Sequence, residues 1–283
     1  MIRLDAATFL LQWAVGGLAF LWVTTRRREV GIGYGWLLRG TYGLMALASI
    51  VVAQIVGPVP VRDAAAVGVV LASGWAFFVS YRRRHAGVSL ERERVEARSA
   101  RVTAMTGIDR ETKAFDASIE EFPPNLDLVA PAIGLVGLVA AGIDAGSPAW
   151  LSVARIVVGA LFLGAVTDAM LLGHWYLVQP GMARGPLLEL VRWTGWLWPV
   201  EVAVLLIPTG MVSVLNGTID DGYGGILGWM WLTCAVTTIG LVIVTRAALK
   251  ERQYSAVMAA TGLLYLAILT AFGTDLVARA VLA

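Results

Sequence analysis

Three carboxylates, Asp168, Glu201 and Asp275, lie inside long apolar stretches of the chain. If those stretches cross a bilayer, an ionised side chain within them costs between about 3 and more than 10 kcal/mol, so each is a candidate for proton transfer or ligand contact. Glu201 follows Pro199 by two residues. A proline there removes a backbone hydrogen bond and is expected to kink the helix, freeing carbonyls and opening a polar cavity beside the carboxyl. Asp168 belongs to the run from Thr167 to Pro180, which also holds His174, Trp175 and Tyr176. At about 100° per residue, Thr167, Met170, Leu171, His174 and Val178 share one stripe, and Asp168, Leu172, Trp175 and Gln179 share the next. Asp168 and His174 therefore do not touch, but a substrate head group or a water could bridge them. Trp193 and Trp196, with Trp198, have two readings: lipid anchors that pack between helices, or an aromatic wall around a ring-shaped ligand such as a quinone.

Other charges read as structural. Asp275 and Arg279, four apart, form an expected ion pair near the outer surface, and Glu189 and Arg192, three apart, can pair likewise. Arg39 and Arg155 stand at the starts of apolar stretches, where their stems can snorkel to the headgroups.

Several chemistries are excluded or discounted. The two histidines, His85 and His174, rule out a multi-haem helix bundle, and no haem is expected. The single cysteine, Cys234, excludes an intrachain disulfide or a cysteine-ligated cluster, and no metal-binding motif is present. No phosphate-binding Gly-rich loop or serine-histidine-acid constellation is recognisable. A net charge of only +2 gives no broad basic surface for nucleic acid.

The elements that must hold these residues follow from hydropathy. Of 283 residues 58% are hydrophobic and only 15% charged, with a mean hydropathy of +0.74. The apolar blocks are long enough to cross roughly 30 Å of hydrocarbon as helices, and they do not alternate as barrel strands would. They predict an all-α polytopic transmembrane bundle forming a single domain over 1–283, with about eight spans near 6–25, 35–57, 63–81, 128–145, 151–178, 186–214, 224–246 and 255–281. Arg26, Arg27, Arg28, Arg82, Arg83, Arg84, Arg184, Arg246, Lys250 and Arg252 fall on one side of that topology, whereas Arg3, Arg62 and the acidic Asp63, Asp144, Asp220 and Asp221 fall on the other. Positive-inside bias then places both termini outside and the 82–127 connection inside, in a prokaryotic plasma membrane. The mixed charges of Leu90 to Val102 predict a solvated helix in that connection, either an extension of the third span or a docking site for a peripheral partner. Prolines well inside a span occur only in the sixth, at Pro199 and Pro208, which argues against a pair of matching broken helices.

The chain's size, its eight spans and its closing Asp275-Leu276-Val277-Ala278-Arg279, an acidic-Leu-x-x-Arg ending, resemble the haem-free eight-helix membrane anchors of the polysulfide reductase and dimethyl sulfoxide reductase family. The resemblance implies exchange of electrons or protons with quinone; it assigns no quinone-site residue. Together these features lead to the expectation of a non-haem integral membrane subunit of a respiratory or photosynthetic complex, contacting quinone and packing against other membrane subunits. The alternatives are a secondary or proton-coupled transporter, with Asp168 and Glu201 lining an aqueous path, and an intramembrane enzyme acting on lipid or isoprenoid substrates.

Overall fold

The computed structural model describes residues 5–93, 95–97, 115, 116, 118–179, 182–208 and 210–282, so the expected helix at Leu90 to Val102 lies partly, and 98–114 wholly, outside the described residues. Among the described residues every regular element is helical. We number them α1 (Ala6–Thr25), α2 (Ile32–Val56), α3 (Pro60–Arg82), a 3₁₀ turn (Pro124–Leu128) leading into α4 (Val129–Asp144), α5 (Ala149–Val178), α6 (Gly185–Leu206), α7 (Gly210–Leu215), α8 (Ile226–Ala248) and α9 (Tyr254–Val281). Seven are long and apolar enough to cross a membrane, counting the 3₁₀ turn with α4, which makes the chain a polytopic helical bundle.

The sixth apolar stretch differs from its expectation. It is not one span over 186–214: α6 runs through Pro199, stops at Leu206, and the chain resumes as the short α7 after Pro208. Glu189, Arg192 and Glu201 along α6 make it less apolar than the other seven. It still travels the length of the bundle. Near one end Glu189 meets Arg26 and Arg27 at the end of α1, and at the other its last carbonyls meet Arg155 at the start of α5.

The core is built around α1 and α5, the two most enclosed helices. They cross in backbone contact: a Cβ on Gly16 would lie 1.8 Å from the Ala160 carbonyl oxygen, and one on Gly164 would lie 2.2 Å from the Gly16 carbonyl carbon. Small residues are what permit such an approach between membrane helices. The next residue, Gly17, leaves room for the Tyr42 ring of α2, which would stand 2.0 Å from a Cβ there.

Polar side chains tie the ends. At the end carrying the start of α1, buried Arg62 of α3 bonds Asp5 at 2.5 Å, Asp63 at 2.8 Å, Thr8 and the Gly57 carbonyl. Asp221 accepts hydrogen bonds from the Gly225, Tyr223 and Leu227 N–H groups ahead of α8, and these hold its carboxyl below the usual carboxylate range. At the opposite end Arg39 does not snorkel to headgroups. It is buried, and its fork grips Asp127 through Nε at 2.7 Å and a terminal nitrogen at 2.8 Å, while Thr25 donates to the same carboxylate and Phe122 covers the guanidinium. Glu121, within the 82–127 connection, bonds Arg28 at 3.0 Å and Arg92 at 2.6 Å. Arg184, ahead of α6, donates to the carbonyls of Leu249, Glu251, Arg252 and Gln253 in the turn between α8 and α9.

The α1–α5 contact yields a test. Gly164→Val places a branched side chain against backbone that cannot rotate away, so the loss should exceed the roughly 1–3 kcal/mol typical of core overpacking. Gly74→Ala, where a Cβ meets nothing within 4 Å, should leave the thermal midpoint of the detergent-solubilised protein close to wild type.

Candidate functional site

A polar cluster lies inside the bundle where α1, α5, α6 and α9 converge. Asp275 and Arg279 are both completely buried, joined by a 2.7 Å bond from the arginine Nε to Oδ2. The pair is thus not at an exposed surface but sealed within the protein, and Phe9 faces the guanidinium at 5.8 Å. Gln12 of α1 completes it, donating to Asp275 Oδ1 at 3.4 Å and accepting from a terminal nitrogen of Arg279. Gly159 of α5 makes the space, since a Cβ there would stand 2.7 Å from the Gln12 amide nitrogen and 2.9 Å from Asp275 Oδ1.

Glu201 of α6 is buried with this group. Asp275, Arg279 and Arg155 are the charged residues whose fields reach it, yet neither of its carboxyl oxygens has a hydrogen-bond partner among the described residues. Arg155, expected at the headgroups, is 3% exposed. It donates from Nε to the Val204 carbonyl at 2.9 Å and from a terminal nitrogen to the Ile207 carbonyl at 2.8 Å. Those acceptors belong to the last turn of α6 and the break that follows, where backbone carbonyls have lost their helical partners. The polar opening expected at Pro199 is therefore displaced to residues 207–208, one and a half to two turns beyond Glu201. With all four groups ionised, two guanidiniums face two carboxylates. Protonating Glu201 leaves one positive charge in excess.

Asp168 sits elsewhere on α5, fully buried against α1 and α2. The Tyr42 hydroxyl donates to Oδ1 at 2.5 Å, the Tyr34 hydroxyl donates to the Asp168 backbone carbonyl at 3.3 Å, and Oδ2 has no partner among the described residues. His174, expected to share a bridged site with Asp168, is exposed on the outer face of α5, where Nδ1 lies 3.1 Å from the Tyr265 hydroxyl of α9. The two residues look in different directions, so no single head group bridges them.

The indoles also diverge. Trp193 packs edge-on to Phe20 of α1 and to Trp196, with ring centres 5.9 and 5.5 Å apart. Trp196 turns outward and is 61% exposed, while Trp198 donates to the Ala235 carbonyl of α8 at 2.8 Å. Glu189 does not pair with Arg192. Arg26 bonds its Oε1 at 2.5 Å and Arg27 approaches Oε2 at 2.5 Å without hydrogen-bond alignment, whereas Arg192 is exposed and donates back to the Leu188 carbonyl.

The structure thus joins Glu201, Asp275 and Arg279, and leaves Asp168, His174 and the indoles apart from them. Gln12 and Arg155 went unrecognised as members of the cluster. The signal for Gln12 was a lone amide deep in an apolar helix; for Arg155 none existed, because its acceptors arise from a break in another helix. No family model matches the chain, nor does any curated protein or solved structure.

Removing one member of the buried pair should be costly. Arg279→Met leaves Asp275 buried beside Glu201 without its partner, an expected loss of about 3–5 kcal/mol. The double variant Asp275→Leu/Arg279→Met should recover much of that in thermal unfolding, and a double variant no more stable than the single would show that the pair does not act as a unit.

Proposed function

We propose that this chain is an eight-span protein of a prokaryotic inner membrane, with both termini outside and the 82–127 connection inside, that works as a proton-coupled secondary carrier of a small solute. The observation carrying this reading is Glu201: a buried carboxyl whose two oxygens have no hydrogen-bond partner among the described residues, beside an arginine that holds the broken end of α6. An ionised Glu201 attracts Arg155 and competes with the α6 carbonyls for it; a protonated Glu201 does not. The proton and the position of the helix break are then coupled through one guanidinium, and a ligand or proton moves such an equilibrium only by its different affinity for the two arrangements. Ionisable groups beside interrupted helices are where carriers place their coupling sites.

A second reading, the quinone-contacting subunit of an energy-transducing complex, draws support from the His174–Tyr265 pair. It lies on the outer face of α5 and α9, where a ring dissolved in the lipid could meet a donor and an acceptor. In that case other membrane subunits, and a peripheral one at the 82–127 connection, should accompany the chain through gentle purification.

Two measurements test the carrier. In proteoliposomes loaded with a pH-sensitive dye and challenged with small solutes, wild type should show solute-driven proton flux. Glu201→Gln, nearly identical in shape, should assemble normally and lose that flux. Full flux in Glu201→Gln, or none in wild type together with stoichiometric partner chains, overturns the reading. For topology, cysteines introduced after Cys234→Ser in the 82–127 connection and at the C-terminus should label from opposite sides; labelling from the same side would refute eight spans.

A further inference from the structure

Asp168 is not used by the Glu201 cluster, and its setting is different. Gly159, which borders that cluster, and Asp168 are nine residues apart on α5, about 13 Å along the axis. The carboxyl is fully buried. Tyr42 and Tyr34 of α2 are the titratable groups that face it, with Tyr176 beside Tyr34, and no ion pair joins it to a charged side chain among the described residues. One oxygen receives the Tyr42 hydroxyl at 2.5 Å, and the other has no partner among the described residues. An ionised carboxylate in that position would be a buried charge with one hydrogen bond and no counter-ion, a state costing many kcal/mol. A carboxylic acid there keeps the Tyr42 bond at its carbonyl oxygen and carries no charge.

We infer that Asp168 and Tyr42 form a second proton-binding site in this protein, in which the Asp168 carboxyl carries an exchangeable proton and the Tyr42 hydroxyl holds its carbonyl oxygen. The ring that supplies the hydroxyl reaches it over Gly17, where any side chain would collide with Tyr42. The site is distinct from the Glu201 cluster, and its assignment does not depend on the carrier reading.

Infrared spectroscopy of the purified full-length protein in lipid nanodiscs tests it, because a protonated carboxyl has a C=O stretch well separated from carboxylate bands and shifted by deuterium exchange. Wild type should show such a band in H₂O and its shifted counterpart in D₂O. Asp168→Asn should remove it, Glu201→Gln should retain it, and Tyr42→Phe should move it to higher frequency by deleting the bond to the carbonyl oxygen. The Tyr42→Phe shift decides the matter even should Asp168→Asn fail to fold. Loss of carboxylate bands rather than the C=O stretch in Asp168→Asn would overturn the inference, as would a C=O stretch indifferent to Tyr42→Phe or to deuterium. Because the readout is a band of one residue, it stands whether or not any solute drives proton flux through Glu201.

Discussion

The arrangement depends on one close contact, the crossing of α1 and α5 at Gly16, Ala160 and Gly164. Lipid tails are as apolar as the side chains, so helices in a membrane gain little by hiding hydrophobic surface from each other; close packing and interhelical hydrogen bonds must hold them together. Backbone approach at Gly16 brings Gln12, one turn away on the same face, against Gly159 and within reach of Asp275 and Arg279. It also sets Trp13 to donate to Thr167 at 3.0 Å, beside Asp168. A single seam of small residues therefore positions the polar groups on both of its sides.

Buried charges here fall into two kinds, distinguished by how completely they are satisfied. Arg39 with Asp127, and Arg62 with Asp5 and Asp63, have partners for both the cation and the anion, several of them side chains from other helices. Such pairs are a poor source of net stability, because desolvation offsets the attraction, but removal of either member is expensive. They act as fasteners that specify which helix ends meet. Glu201 and Asp168 are the other kind: among the described residues both oxygens of Glu201, and Oδ2 of Asp168, lack a donor. Leaving a polar atom so placed costs about 1–3 kcal/mol or more, an imbalance typical of sites whose protonation or occupancy changes.

Much of the bundle was legible in the sequence because hydropathy and helix length obey a single constraint, the thickness of the hydrocarbon. Seven of the expected stretches appear as membrane-length helices with ends close to those expected. The eighth, the sixth in order, was harder to read because its interruption falls at Ile207 and Pro208 rather than at Pro199, which the helix accommodates. Spacing within one helix located the Asp275–Arg279 pair, since i,i+4 geometry is local. Pairings between helices were beyond reach: Glu189 chose Arg26 and Arg27 over Arg192, and Arg39 and Arg155 turned inward, because rotation of each helix about its axis is set by contacts that hydropathy does not encode. His174 shows the same limit. Its periodicity separated it from Asp168, but only packing decides which of the two stripes faces outward.

The separation of the two unpartnered carboxyls bears on how protons could pass. Between Gly159 and Thr167, α5 presents Ala160, Leu161, Phe162, Leu163, Gly164, Ala165 and Val166, with no polar side chain and all but Leu161 buried. Phe162, Leu163 and Val166 pack with Ala267 and Ala271 of α9 in an apolar layer. Such a layer offers no chain of donors and acceptors along α5 from the Glu201 cluster to Asp168, and about 13 Å is far beyond a single hydrogen bond. If both carboxyls carry protons, they serve as two insulated stations rather than as links of one wire. Insulation of this kind suits alternating access, in which a site opens to one surface at a time and a continuous proton path would dissipate the gradient that drives transport. The part of the fold able to move without breaking the α1–α5 seam is the interrupted α6–α7 region, whose free carbonyls are held by Arg155 alone among the charged groups of the cluster. Exchange at Glu201 would therefore be gated by that guanidinium, while Asp168 lies buried beneath Tyr42 on the other side of the seam.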